Sequence, residues 1–168
     1  MEAYPEGTYI PRASWTDTWL RVAMVIAQRS PCEGRQVGAV ITDIDNRIVA
    51  TGYNAFPRGF CDETYNHFRS CGKFCERRAT GERGIGYGNC QAVHAEINAL
   101  LRTSYEQRRH GSLYVTSVPC YDCCKILANS GIEKIFYYDN VADSHYDASK
   151  GLALLRDILV TAVPMDSK

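Results

Sequence analysis

Cys120 and Cys123 stand three residues apart in the run Pro119-Cys120-Tyr121-Asp122-Cys123, and His94 and Glu96 stand two apart some 25 residues earlier. These residue types at these spacings can do metal chemistry. Positions three apart on a helix share a face, so both sulfurs can meet one ion, and a helix N-terminus favours their thiolate forms. His94 can supply a third ligand from the start of a preceding helix. Three protein ligands leave one tetrahedral position for water, the arrangement of a catalytic rather than a structural zinc. Two thiolates cancel the formal charge of Zn2+, yet the ion still acidifies its water toward hydroxide. Glu96 is then the catalytic proton carrier. A C-x-x-C alone is often half of a structural zinc site or a redox pair, and an H-x-E alone means little. The two together, each opening a helix with a strand between them, make the constellation.

The elements that must position these residues can be read from periodicity. Residues 14–29 predict a helix, with Ser14 and Asp17 as a capping pair and an apolar face of Trp19, Leu20, Val22, Ala23, Ile26 and Ala27. Residues 36–43 and 47–54 predict two strands of an antiparallel hairpin turned by Ile44, Asp45 and Asn46. From 93 onward the order alternates: helix 93–106, strand 112–117, helix 120–131 ended by Gly131, strand 134–139, helix 147–159 and strand 160–163. The expected class is α/β, a mixed five-stranded sheet flanked by helices. Residues 55–91 break the pattern. They carry four cysteines and no long apolar period, a stretch too long for an ordinary connection.

Composition sets bounds. The 168 residues, 45% hydrophobic and 23% charged, predict one domain spanning 1–168 with a cysteine-rich insertion at about 60–92. A formal net charge of zero argues against a dedicated binder of long nucleic acid. No apolar run approaches the roughly 18 residues of a membrane span. The opening MEAYPEGTYIPRASW lacks the basic and apolar regions of a signal peptide, so the expected location is cytoplasmic. Eight cysteines in a reducing compartment read as metal ligands or buried thiols rather than disulfides.

His94-Ala95-Glu96 with Pro119-Cys120-Tyr121-Asp122-Cys123 matches the H-x-E…P-C-x-x-C pattern of zinc nucleobase deaminases. With AQRS at 27–30, QVGAVI at 36–41, GYNAFPRG at 52–59, VHAEINAL at 93–100 and SGIEKIFY at 130–137, the chain from about Trp15 onward resembles the cytidine and deoxycytidylate deaminase superfamily, and within it the deoxycytidylate branch. The resemblance implies a three-layer cytidine-deaminase-like fold. It implies hydrolysis of dCMP to dUMP and ammonia, a zinc-activated water attacking C4 while Glu96 passes protons to N3 and to the departing amine. By the same resemblance Asn54 contacts the deoxyribose, and Ala95, Thr116 and Ser117 line the base pocket. Family members assemble as homo-oligomers, typically hexamers, with dCTP activating and dTTP inhibiting. A triphosphate site with its Mg2+ is expected around Arg58 and Arg69.

Some viral and bacterial relatives carry a second, structural zinc, and Cys32 and Cys61 occupy positions that resemble ligands there. His67, Cys71 and Cys75 are spaced four apart and would share a helix face. The expected ligand set is Cys32, Cys61, Cys71 and Cys75, with His67 and Cys90 as alternatives; the rival reading is scattered buried thiols. Cys124 reads as a buried thiol. His110 and His145 read as solvated or capping residues, and Tyr137 and Tyr138 as core. Arg29 and Lys125 are open between phosphate contacts and plain surface charges. The glycine-rich 79–88 lacks the lysine of a phosphate-binding loop and reads as flexible. Rival functions are a deaminase acting on cytidine, dCTP or transfer-RNA adenosine, and a structural zinc-binding interaction module. The neutral charge disfavours the transfer-RNA substrate, the histidine at position 94 disfavours free cytidine, and Glu96 disfavours the structural module.

Overall fold

The computed structural model describes residues 12–32, 34–57, 90–138, 148–158 and 160–165. Helix α1 (Trp15–Ala27) starts where the sequence places it: the Ser14 hydroxyl accepts the Asp17 amide at 3.0 Å, and Leu20, Ala23 and Ala27 form the buried stripe. The hairpin is β1 (Gly38–Thr42) and β2 (Ile48–Tyr53), antiparallel as expected. Its turn puts Asn46 at φ 64, and the Asp43 carboxylate accepts the Arg47 amide at 2.8 Å. Gln36 and Val37 fall outside β1 because side chains claim them. The Val37 amide goes to Asn54 Oδ1 at 2.7 Å, and the Gln36 amide group to the Ser30 carbonyl at 2.8 Å.

The helix expected over 93–106 is two short ones, α2 (Ala95–Leu100) and α3 (Tyr105–Arg108). Val93 stays extended in an isolated antiparallel bridge to Ala55. Ser104 opens α3 with a capping box, its hydroxyl accepting the Gln107 amide while Gln107 Oε1 accepts the Ser104 amide. Strand β3 (Ser112–Val115) leads to α4 (Tyr121–Ala128), which stops before Gly131 because the Ser130 amide and hydroxyl both turn back to the Leu127 carbonyl. Gly131, at φ 84, turns the chain toward β4 (Lys134–Tyr138). Helix α5 (Ser149–Asp157) and β5 (Thr161–Met165) complete the described elements.

The sheet order is β2-β1-β3-β4-β5, antiparallel at both β1 ladders and parallel between β3, β4 and β5. This is the expected mixed five-stranded sheet. Alternation along the strands builds three layers. Val40, Tyr114 and Phe136 face α1 through Leu20 and Ala23, while Ala39, Ile41, Leu113, Val115 and Ile135 face the side of α2, α4 and α5. Strand β1, buried on both faces, is therefore continuously apolar up to Thr42. Strand β5 lies at the edge, where Pro164 is tolerated.

Small residues bring the helices down onto the hairpin. A Cβ on Gly38 would lie 2.0 Å from the Ala23 carbonyl oxygen, and one on Gly52 would lie 2.3 Å from the Ala95 carbonyl oxygen and 2.4 Å from the Ala99 nitrogen. Helix α2 thus rests backbone to backbone on β2. Among the described residues no helix is long and apolar enough to cross a membrane.

Candidate active site

Two helix starts meet at one end of the sheet. His94 is the N-cap of α2 in extended conformation, and Cys120 is the N-cap of α4, its sulfur accepting the Cys123 amide at 3.5 Å. His94 Nδ1 lies 3.3 Å from Cys123 Sγ and 3.4 Å from Cys120 Sγ. All three ligand atoms lie within 4.8 Å of one another, the one such group among the described residues. Tetrahedral zinc bonded to sulfur at about 2.3 Å and to nitrogen at about 2.0 Å has sulfur-to-nitrogen edges of about 3.5 Å. The donor set fits that ion.

The proton balance of the three side chains points the same way. Cys120 is pulled down to about 4, first by its hydrogen bond with Cys123, then by His94 and the Cys123 amide, against burial. Cys123 is driven far up as the hydrogen-bond partner of Cys120 and by burial. His94 rises to about 9 beside the Cys120 sulfur, helped by Glu96 and opposed by burial. One sulfur ionises only if the other keeps its proton; a divalent cation between them is what lets both be thiolates.

Glu96 sits in the first turn of α2, two residues from His94, and is 4% exposed. Burial raises its pKa, with His94 opposing. A carboxyl held this way retains protons closer to neutrality, as a general acid–base requires. Cys124, adjacent to Cys123, is a buried thiol as expected, pushed up to about 12 by burial.

The residues expected around a substrate occupy the same end of the sheet. Ala95 is fully buried between His94 and Glu96. Thr116 extends the β1–β3 ladder: its amide donates to the Gly38 carbonyl at 3.0 Å and its Oγ1 accepts the Gly38 amide at 3.1 Å. Buried Ser117, Val118 and Pro119 then carry the chain to Cys120. Asn54, 9% exposed, follows β2, and its Nδ2 donates to the Arg35 carbonyl at 2.8 Å while its Oδ1 accepts from Val37. These bonds use one donor and one acceptor and leave one of each.

Cys32 and Cys90 are half-buried and belong to no metal-ligand group among the described residues. Cys32 Sγ accepts the Arg35 amide at 3.4 Å. Arg58, Cys61, His67, Arg69, Cys71, Cys75, His145 and residues 79–88 lie outside the described residues. Arg29 is exposed, and Lys125 pairs with Asp122 at 2.7 Å over the ring of Tyr121. His110, expected to be solvated, is exposed and its Nδ1 meets the Glu133 carboxylate.

Sequence reasoning missed Ser30. It is 4% exposed, its hydroxyl donates to the Asn54 carbonyl at 2.7 Å and accepts the Cys32 amide at 3.2 Å, and its own carbonyl takes the Gln36 side chain. It ties the end of α1 to Asn54. Its marks in the sequence were its place just past an apolar stripe and within the AQRS segment at 27–30.

The profile of the cytidine and deoxycytidylate deaminase zinc-binding region matches residues 13–139. The deoxycytidylate deaminase of Mycobacterium phage D29 is 40% identical over 132 residues, covering 75% of this chain and 95% of the phage protein. Human deoxycytidylate deaminase is 30% identical over 139 residues, covering 83% of this chain and 71% of the human one. The crystal structure of dCMP deaminase from the cyanophage S-TIM5, in complex with dCMP and dUMP, is similar with a TM-score of 0.65 at 28% identity, over 89% of this chain and 95% of that one.

Proposed function

Because the chain belongs to the cytidine and deoxycytidylate deaminase family, we propose that it hydrolyses deoxycytidylate to deoxyuridylate and ammonia. The observation that carries the reaction class is the convergence of His94, Cys120 and Cys123 beside buried Glu96. The substrate follows from the relatives, named deoxycytidylate deaminases in a phage and in human, and from the likeness to a phage enzyme bound to dCMP and dUMP.

His94, Cys120 and Cys123 would hold zinc. When bound, zinc supplies Lewis acidity that brings the pKa of water toward neutrality. Glu96 takes the proton of the water that attacks C4, returns it to N3, and delivers the next to the departing amine, so that ammonia leaves and the uracil carbonyl remains. Asn54 meets the deoxyribose with its remaining donor and acceptor, while Ala95, Thr116 and Ser117 bound the base pocket; their common position at this end of the sheet supports these roles.

The same reading extends to regulation and assembly. A second zinc takes Cys32, Cys61, Cys71 and Cys75, with His67 and Cys90 as substitutes, supported by the four-residue spacing of positions 67, 71 and 75. Arg58 and Arg69 receive a triphosphate with its Mg2+, dCTP activating and dTTP inhibiting. The enzyme is a cytoplasmic hexamer supplying the precursor of thymidylate. The test of the central claim is ammonia release from deoxycytidylate, cytidine, dCTP and adenosine by zinc-loaded protein. Deoxycytidylate should have the highest kcat/KM, and a clear preference for any other substrate would overturn the assignment.

A further inference from the structure

Asn98 is a polar residue within the otherwise tightly packed helix α2. Its side-chain Nδ2 donates to two backbone carbonyls at once, Tyr53 at 2.8 Å and Val93 at 3.2 Å. Both partners are acceptors, so the amide group must present its nitrogen there. Tyr53 is the last residue of β2, and Val93 immediately precedes His94. Between them lies the bridge in which the Ala55 amide donates to the Val93 carbonyl at 3.1 Å and the Val93 amide to the Ala55 carbonyl at 2.8 Å. Asn54 is therefore flanked on both sides, at 53 and at 55, by residues hydrogen-bonded either to Asn98 or to the segment that carries His94.

We infer that Asn98 is a positioning residue that fixes Asn54, on the nucleotide side of the site, relative to His94 on the metal side. The metal ligands do not depend on it. His94 and Cys120 are set by the starts of their own helices, and Asn98 touches neither sulfur. Losing its donors removes the tie at Tyr53 and one of the two bonds to the Val93 carbonyl, which loosens the 53–55 segment while the Ala55–Val93 bridge and the ligand set stay in place, so nucleotide binding should weaken and the chemical step should be spared. A sugar hydrogen bond lost through such loosening is worth up to about tenfold in affinity.

This inference rests on the proposed deamination of deoxycytidylate. Asn98→Asp keeps the shape and replaces the donor with an oxygen facing two carbonyl oxygens; Asn98→Ala removes the group without adding charge. For each variant, zinc content, KM and kcat for deoxycytidylate, and Kd for deoxyuridylate by titration calorimetry should be measured. The expected result is full zinc, kcat within about 3-fold of the parent, and KM and Kd both raised by up to about 10-fold. Unchanged KM and Kd in a zinc-loaded variant would overturn the inference, as would loss of zinc or a fall confined to kcat. On the unsubstituted protein, deoxyuridylate should slow amide hydrogen exchange at Ala55 and Val93; unchanged exchange overturns the inference even if neither variant folds. If the unsubstituted protein neither turns over deoxycytidylate nor binds deoxyuridylate, the premise falls and the inference with it. Parent-like variants of an active enzyme sink the inference alone.

Discussion

His94 Nδ1 and Cys123 Sγ lie 3.3 Å apart although 29 positions of chain and a whole sheet strand separate them. The contact is fixed from both ends. His94 caps α2, which sits directly on β2, and Cys123 lies in the first turn of α4, which follows β3 by a short buried connection. A pair this close from two separate elements implies that one removal should be felt as loss of the ion.

Glu96→Gln should separate proton transfer from metal binding. Gln is nearly isosteric and a comparable helix former, so zinc content should stay at the parent level. Turnover of deoxycytidylate should fall about 10²–10⁴-fold or more, since one group serves several transfers. His94→Ala and Cys123→Ala should lose metal and turnover together. Near-normal turnover in a zinc-loaded Glu96→Gln protein would refute the role given to Glu96.

The same substitution should reveal what burying this carboxyl costs. A carboxyl whose pKa is raised on folding favours the native state below its unfolded pKa and weighs against it as pH rises through the native one. Glu96 is such a group, whereas Gln does not titrate. In the metal-free proteins the thermal midpoint of Glu96→Gln should gain on that of the parent as pH rises above the unfolded glutamate value of about 4.3. A margin that narrows over that range would show that the Glu96 pKa is not raised.

Gly52→Ala tests the seat of α2. The added methyl would meet the Ala95 carbonyl oxygen at 2.3 Å and the Ala99 nitrogen at 2.4 Å, backbone atoms that cannot step aside alone. Overpacking of this kind costs roughly 1–3 kcal/mol and occasionally more. The helix must lift, taking His94 and Glu96 with it. Chemical denaturation should report the loss, and kcat should drop although the substitution touches no catalytic atom.

Metal analysis of protein purified without chelator should give more than one zinc per chain. Cys71→Ser should then remove one equivalent and loosen the middle of the chain, because ligand binding there doubles as folding energy, while Glu96-dependent turnover persists. A stoichiometry of one in the parent would eliminate the second site and leave the deaminase standing.

Saturation curves for deoxycytidylate should shift with triphosphates, leftward with dCTP and rightward with dTTP, by a coupling of about 1–3 kcal/mol. Arg58→Ala or Arg69→Ala should reduce those shifts more than basal turnover. Curves that both triphosphates leave unmoved would contradict the regulatory reading.

What could be read in the chain, and what could not, divides along range of interaction. The cluster of His94, Cys120 and Cys123 was legible because each is local to a helix start with its own signals, and the hairpin because its turn residues and alternation are contiguous. The break between α2 and α3 was present in the sequence as Ser104 and Gln107, a capping box overlooked inside an apolar period. The Ala55–Val93 bridge left no trace, since a single residue pair 38 positions apart has no periodicity. Ser30 and Asn98 stand in the segments AQRS and VHAEINAL that carry the family resemblance, but their roles were not legible there. Each acts through backbone carbonyls, and a carbonyl carries no residue identity for a sequence to display. The overrun of the fourth helix to Gly131 came from reading the glycine as a cap when Ser130, one residue earlier, had already closed the turn.

Pro164 in β5 bears on how this molecule meets others. A sheet's outer strand presents a row of backbone donors and acceptors on which any extended chain can template itself, the first step of runaway stacking. Proline offers no N–H, and in the described part of β5 it interrupts that row one residue from the strand's end. A foreign strand arriving there finds a gap in the ladder instead of a continuous edge. Edge-on sheet growth from β5 is therefore disfavoured, and a Pro164→Val variant, with its donor restored, should be the more prone to form fibres during refolding.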